Sequence, residues 1–147
     1  MACLNTLVDD INKSLEGLSD GKPLNITEED LDLTLSRIKT SILEWANPSE
    51  RNKTFSLRMS NIGRPARQLW FEKNKPLENA KPNAATQVKF LYGHILEEIV
   101  LMLVRAAGHE VTDEQKEVDL DGIKGHMDCK IDGEVVDIKT ASRFAFN

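Results

Sequence analysis

The sequence predicts an α+β chain, and three observations predict it. Apolar residues recur at steps of three and four from Leu4 to the segment "VLMLVRAAG" ending at Gly108. Beyond Gly108 the period changes to two. Asp121-Gly122 and Asp132-Gly133 then punctuate strand-like runs, and Asp-Gly in that position is a strong signal for a two-residue hairpin. A length of 147 residues fits one domain with an extension. We divide it into a helical N-terminal arm, 1–50, and a core, 51–147.

The elements follow in order. Leu4, Leu7, Val8, Ile11, Leu15 and Leu18 share a helical stripe, and Gly17 with "SDGKP" ends it. Thr27 opens "TEED", which resembles a capping box with acids in the first turn. Leu31, Leu35, Ile38, Ile42 and Trp45 carry that helix to Asn47-Pro48. The arm reads as a packing or oligomerisation element. In "FSLRMSNIGRPARQLWFE", Ser60 is a candidate cap, Gly63 and Pro65 mark an irregular opening, and a helix continues from Arg67 to Glu72. A loop with Pro76 and Pro82 follows. Residues 86–107 then form a long, mostly apolar helix, with Glu97 and Glu98 in its middle and Gly108 at C′. One of these two acids is expected in solvent and the other at a site. A buried carboxylate needs a cation or a Lys partner. "HEVTDEQKEVDL", "IKGHMDCKI" and "EVVDIKTA" form a three-stranded antiparallel meander.

Composition excludes several classes. Hydrophobic residues make up 40% and charged residues 29%, as in a globular chain rather than a disordered one. No apolar run approaches the roughly 18–20 residues of a membrane span. The N-terminal stretch lacks a basic region followed by an apolar core, so no secretory leader is expected. Cys3 and Cys129 match no metal-ligand spacing and read as free thiols in a reducing, cytoplasmic compartment. The net charge of −5 conceals three blocks. Residues 1–50 hold 4 Lys/Arg against 10 Asp/Glu, residues 51–89 hold 9 against 2, and residues 90–147 hold 6 against 12. The basic middle suits a polyanion and the acidic C-terminal block a divalent cation, unless opposite blocks only pair with each other. Arg58, Arg64 and Arg67 stand among Leu69, Trp70 and Phe71, a mixture that suits phosphate and base contact or, alternatively, a packed helix with snorkelling arginines.

Hairpin arithmetic isolates a candidate site. A two-residue turn at Asp132-Gly133 places Asp128 opposite Asp137 and His126 opposite Lys139, all four on one face. Met127, Cys129, Ile131, Val136 and Ile138 fall on the other, apolar face. Opposed carboxylates repel, and a cation between them removes the repulsion; an oxygen-rich site suits Mg²⁺ or Mn²⁺. Lys139 adds a point charge beside them.

"YGHILEEIV", then "GHMD", then "VVDIKTAS" resembles the PD-(D/E)XK nuclease superfamily, RecB-like and phage-exonuclease branch, over roughly residues 55–142. "SNIGRPARQLWFE" is similar to the segment before the catalytic helix of RecB-like nucleases. The resemblance implies a metal-dependent nuclease, exonuclease or endonuclease, hydrolysing phosphodiester bonds in DNA. Asp128 and Asp137 would be metal ligands, with the Ile138 carbonyl a third. Glu97, four after Gly93, would be the helix acid, acting on the metal directly or through water. Lys139 would orient the attacking water and stabilise phosphate charge. Arg58, Ser60, Arg64 and Arg67 would contact nucleic acid. His126 would contact phosphate or only brace the hairpin. The cysteines of iron–sulfur RecB-like enzymes have no counterpart here, so no iron–sulfur cluster is expected.

The family fold continues past the D-x-K strand with another helix and strand, and this sequence stops at Asn147. The resemblance therefore implies a fragment, or a fold completed by a second polypeptide or another copy. The uncovered sheet edge and apolar face are expected to drive association, and the rival account has the arm 1–47 covering them. The alternative function is a non-catalytic nucleic-acid-binding or assembly subunit that keeps half of a nuclease fold.

Overall fold

The computed structural model describes residues 3–47, 55, 57–75 and 82–140. Pro48, Pro76 and the Ala141–Ser142 end of the D-x-K segment lie outside them. The architecture is α+β, with four α-helices and two small antiparallel sheets.

After a 3₁₀ turn at Leu4–Thr6, helix α1 spans Leu7–Ser19 and helix α2 spans Glu28–Ala46. The Thr27 hydroxyl accepts the Asp30 N–H at 3.0 Å, so the expected cap is in place. Helix α3, Ala66–Asn74, starts directly after Pro65. Ser60 does not cap it; the residue lies inside a separate 3₁₀ turn, Met59–Asn61, because Gly63 in the left-handed region and Pro65 interrupt the helical path. Helix α4 runs Ala84–Ala106, with the Asn83 side chain accepting the Thr86 N–H at 2.9 Å, and Gly108 follows its end at φ +91°.

The packed face of α2 keeps Ile38 of the expected stripe but not Leu31, Leu35, Ile42 or Trp45. Leu31, Leu35 and Ile42 are exposed, whereas Thr34 is buried and Arg37, Ile38 and Ser41 are half-buried. The steps 34, 37, 38 and 41 are also helical. They win because Arg37 finds carboxylates on that side, which the leucines cannot use.

The strands are β1 (Val111–Thr112), β2 (Glu117–Leu120), β3 (Ile123–His126), β4 (Cys129–Ile131) and β5 (Glu134–Val136). They form a β1–β4–β5 sheet and a β2–β3 hairpin, not one continuous three-stranded meander. The break has a definite origin. Val111 pairs with Ile131 and Thr112 with Lys130, whereas Glu117 pairs with His126 and Leu120 with Ile123. Between them the Met127 N–H donates to the Lys116 carbonyl at 3.1 Å, and the Gln115 N–H donates to the Asp128 carbonyl at 2.8 Å. Pairing has slipped by one, so residues 113–116 face only 127–129, four against three, a β-bulge. Asp113 and Gln115 take φ of 52° and 53° to accommodate it. The Asp-Gly turns formed as expected, with positive φ at both residues of each.

Cys129 pairs with Val136 and Ile131 with Glu134, the register expected for that hairpin. The ladder ends at Cys129–Val136, however. His126 therefore does not face Lys139; it sits in the other sheet, paired with Glu117. Below the sheet Leu101, Val104, Cys129 and Ile131 form the buried core, with Val136 and Ile138 packed against it. Leu4, Leu7 and Ile11 pack there too, so the N-terminal arm covers part of this apolar face. Burial pushes the Cys129 thiol up to about 11, with Asp128 adding to the effect, which keeps it protonated.

A second polar contact ties α1 to the sheet. The His109 ring is enclosed, with Nδ1 at 2.7 Å from Asp132 Oδ2 and Nε2 at 3.5 Å from Asp10 Oδ2. Asp132 also accepts the Glu110 N–H at 3.1 Å. The His109 contact, foremost, holds the Asp132 carboxyl below the usual carboxylate range. A lowered folded value gives stability that is complete above the unfolded carboxylate value, about 4, and is lost as pH falls through the folded one. The Tm difference between wild type and Asp132→Asn should therefore be largest above about pH 5 and shrink toward about pH 2. A difference that stays constant in thermal melts across that range contradicts the assignment.

Candidate functional site

A cleft of about 570 Å³ opens between α2, α4 and the bulge. Helix α2 supplies Arg37, Thr40, Ser41 and Glu44 as one wall. Helix α4 supplies His94, Glu97 and Glu98; the bulge adds Glu114 and Gln115, and the hairpin His126 and Asp128. Five carboxylates thus face one guanidinium among the described residues, so the cleft itself favours a cation over an anion.

Asp128 is fixed at both ends. Its carbonyl takes the Gln115 N–H, and its Oδ2 accepts the Ile138 N–H at 2.8 Å. The second bond continues the hairpin past Cys129–Val136 by a side chain, which keeps the Asp137 segment beside Asp128. The segment passes along α4 at Gly93, where a Cβ would make ordinary contact with the Thr140 hydroxyl at 3.5 Å. Asp137 is ion-paired with Lys139, and both are exposed. Lys139 holds the Asp137 carboxyl low, with Asp128 contributing in the same sense, and Asp137 raises the Lys139 ammonium in turn.

Neither helix acid is in solvent, contrary to the expectation that one would be. Glu98 is buried and Glu97 half-buried, because α4 is covered by α2 on one side and the bulge on the other. Burial, and next the charge of Asp128, raise the Glu97 carboxyl; Asp137 acts the same way, while the Gln115 amide at 2.8 Å opposes them. Burial also raises Glu98, against the attraction of Arg37 at 4.0 Å, with Glu114 and Glu97 raising it further. Glu114 is clamped by Arg37 at 2.6 Å and Arg105 at 2.7 Å.

Glu97, Asp128, Asp137 and Lys139 thus lie in one neighbourhood. Among the described residues, no three His, Cys, Asp or Glu side chains close on a single point as an ion's ligands. His126 borders the cleft and reaches back toward Glu117 at 3.8 Å, which favours its bracing role. The other four residues expected at nucleic acid do not line the cleft. Arg58 bridges to Lys124 through its backbone, Ser60 is exposed in its 3₁₀ turn, Arg64 is 3.4 Å from Glu72, and Arg67 lies over the Phe71 ring at 5.8 Å. All four are exposed on the α3 side of the molecule.

Sequence reasoning missed Arg37, His94, Glu114 and Gln115.

Among the described residues no helix is long and apolar enough to cross a membrane. The chain matches no protein-family model, no curated protein and no solved structure.

Proposed function

We propose that the chain is a metal-dependent nuclease of PD-(D/E)XK type, hydrolysing phosphodiester bonds in DNA. One observation carries the reading: Glu97, Asp128 and Asp137 gather beside Lys139, and the Glu97 carboxyl is raised by burial first and by the charges of Asp128 and Asp137 after it. Three crowded carboxylates are a cost to folding unless a cation relieves it. The donors are all oxygen, which fits Mg²⁺ or Mn²⁺. Asp128, Asp137 and the Ile138 carbonyl would hold the ion, with Glu97 joining directly or through water. A bound divalent ion supplies an acidified water and neutralises charge on the phosphate.

The remaining work falls to the chain. Lys139 would leave Asp137 as the ion takes that carboxylate, and its ammonium would then orient the attacking water and hold a phosphate oxygen. The acidic cleft repels DNA, so binding would come from the exposed Arg58, Arg64 and Arg67 on the α3 side, with Ser60 beside them. The expected result is Mg²⁺-dependent cleavage of linear or circular DNA by wild type and none by Asp137→Ala. Equal cleavage by both removes the reading.

A second reading, a non-catalytic nucleic-acid-binding or assembly subunit, is favoured by the Asp137–Lys139 pair, which satisfies both groups without an ion. Absence of cleavage with retained DNA binding selects it. Under either reading the three arginines carry salt-dependent affinity. Each phosphate contact adds about 0.7–0.9 to the slope of log affinity against log salt. An Arg58/Arg64/Arg67 triple Ala variant with an unchanged slope returns them to a structural role.

A further inference from the structure

We infer that Gln115 is a positioning residue that holds the two candidate acids, Glu97 and Asp128, in fixed relation; the inference rests on the metal-dependent reading above. Two bonds from one residue carry it. The Gln115 side-chain Nε2 donates to Glu97 Oε1 at 2.8 Å, and its main-chain N–H donates to the Asp128 carbonyl at 2.8 Å. Glu97 comes from α4 and Asp128 from the junction of β3 and β4, so Gln115 joins both elements at the cleft. The amide orientation is dictated by chemistry: an ionised carboxylate offers only lone pairs, so the nitrogen must face Glu97.

The bulge exists in a form that delivers this residue. Gln115 sits at φ +53°, a region that a residue with a Cβ occupies only when its surroundings over-determine it. Its neighbour Glu114 supplies that constraint, gripped by Arg37 from α2 and Arg105 from α4. Without the slip in register, residue 115 would not pair with Asp128. Outer partners that orient ligand side chains commonly change metal affinity or rate by about 10–100-fold when removed.

The test compares wild type with Gln115→Gly. Glycine takes the positive φ without strain and keeps the main-chain bond to Asp128, so only the amide is lost. Four quantities are measured on the 147-residue chain: the thermal midpoint, Mn²⁺ affinity by calorimetry, and kcat and KM for Mg²⁺-dependent DNA cleavage. The expected result is a midpoint at or above wild type, Mn²⁺ affinity and kcat each down about tenfold, and KM for DNA within about twofold. Gln115→Asn, one methylene too short to span the gap, should behave as the glycine variant does. Unchanged Mn²⁺ affinity overturns the inference. A lowered midpoint with KM rising in step overturns it in favour of a purely structural role. A wild type that binds Mn²⁺ and cuts nothing removes the nuclease reading, and the calorimetric difference alone then decides the inference. A wild type that binds no Mn²⁺ overturns both.

Discussion

Lys139→Ala should lower kcat for DNA cleavage by about 100- to 1,000-fold. In the structure this ammonium is exposed and committed to Asp137. An exposed pair of this kind adds little to stability, so the thermal midpoint should barely move. The rate effect comes from the transition state, where charge accumulates on phosphate oxygens and a fixed ammonium is most useful. Asp137, released from Lys139, remains available to an ion, so Mn²⁺ affinity should hold or rise. KM for DNA should also hold, since binding falls to Arg58, Arg64 and Arg67. A loss confined to kcat identifies a group acting only in the transition state. A variant that keeps most of the wild-type rate takes the D-x-K assignment away from residues 137–139.

Glu114→Ala should be the most damaging change to stability, at about 3–5 kcal/mol. The Glu114 side chain is 10% exposed and is shared by Arg37 and Arg105, themselves 28% and 12% exposed. Removing it leaves the nearly enclosed Arg105 and the half-buried Arg37 without their anion. Arg37 can recover part of the loss by closing its 4.0 Å gap to Glu98; Arg105 has no second acid within ion-pair distance among the described residues. The bulge that Glu114 anchors would loosen as well, taking Gln115 with it. Urea unfolding measures the change. A loss below about 1 kcal/mol would mean the clamp behaves as an ordinary surface pair.

The fold was legible wherever local chemistry decides structure. Thr27 announces its helix through a side chain that can reach Asp30 N–H, and Gly108 and the two Asp-Gly turns announce backbone that favours positive φ. The apolar face of Cys129, Ile131, Val136 and Ile138 was legible because alternation leaves no choice about which side chains share a face. The α2 interface was not. Leu31, Leu35 and Ile42 make the more apolar stripe, yet the helix packs through Thr34, Arg37, Ile38 and Ser41, because ion pairs with Glu114 select that face and no local rule reveals them. The bulge hid for a similar reason: it depends on two strands meeting out of step, and Asp113 to Gln115 carry no glycine to mark it. Within the candidate site the acids and Lys139 could be proposed from the hairpin register. The wall supplied by α2 could not, since Arg37 and Glu114 are 77 residues apart.

Calorimetric titration of Mn²⁺ into wild type and Asp128→Asn shows whether the carboxylates of the cleft hold an ion. Asparagine keeps an oxygen that can accept the Ile138 N–H, so the hairpin should survive while one ligand charge is removed. Wild type should show weak, saturable binding, as for a small ligand set on an ion that keeps several waters, and the variant should lose it. The same Mn²⁺ binding isotherm from both proteins would contradict that expectation.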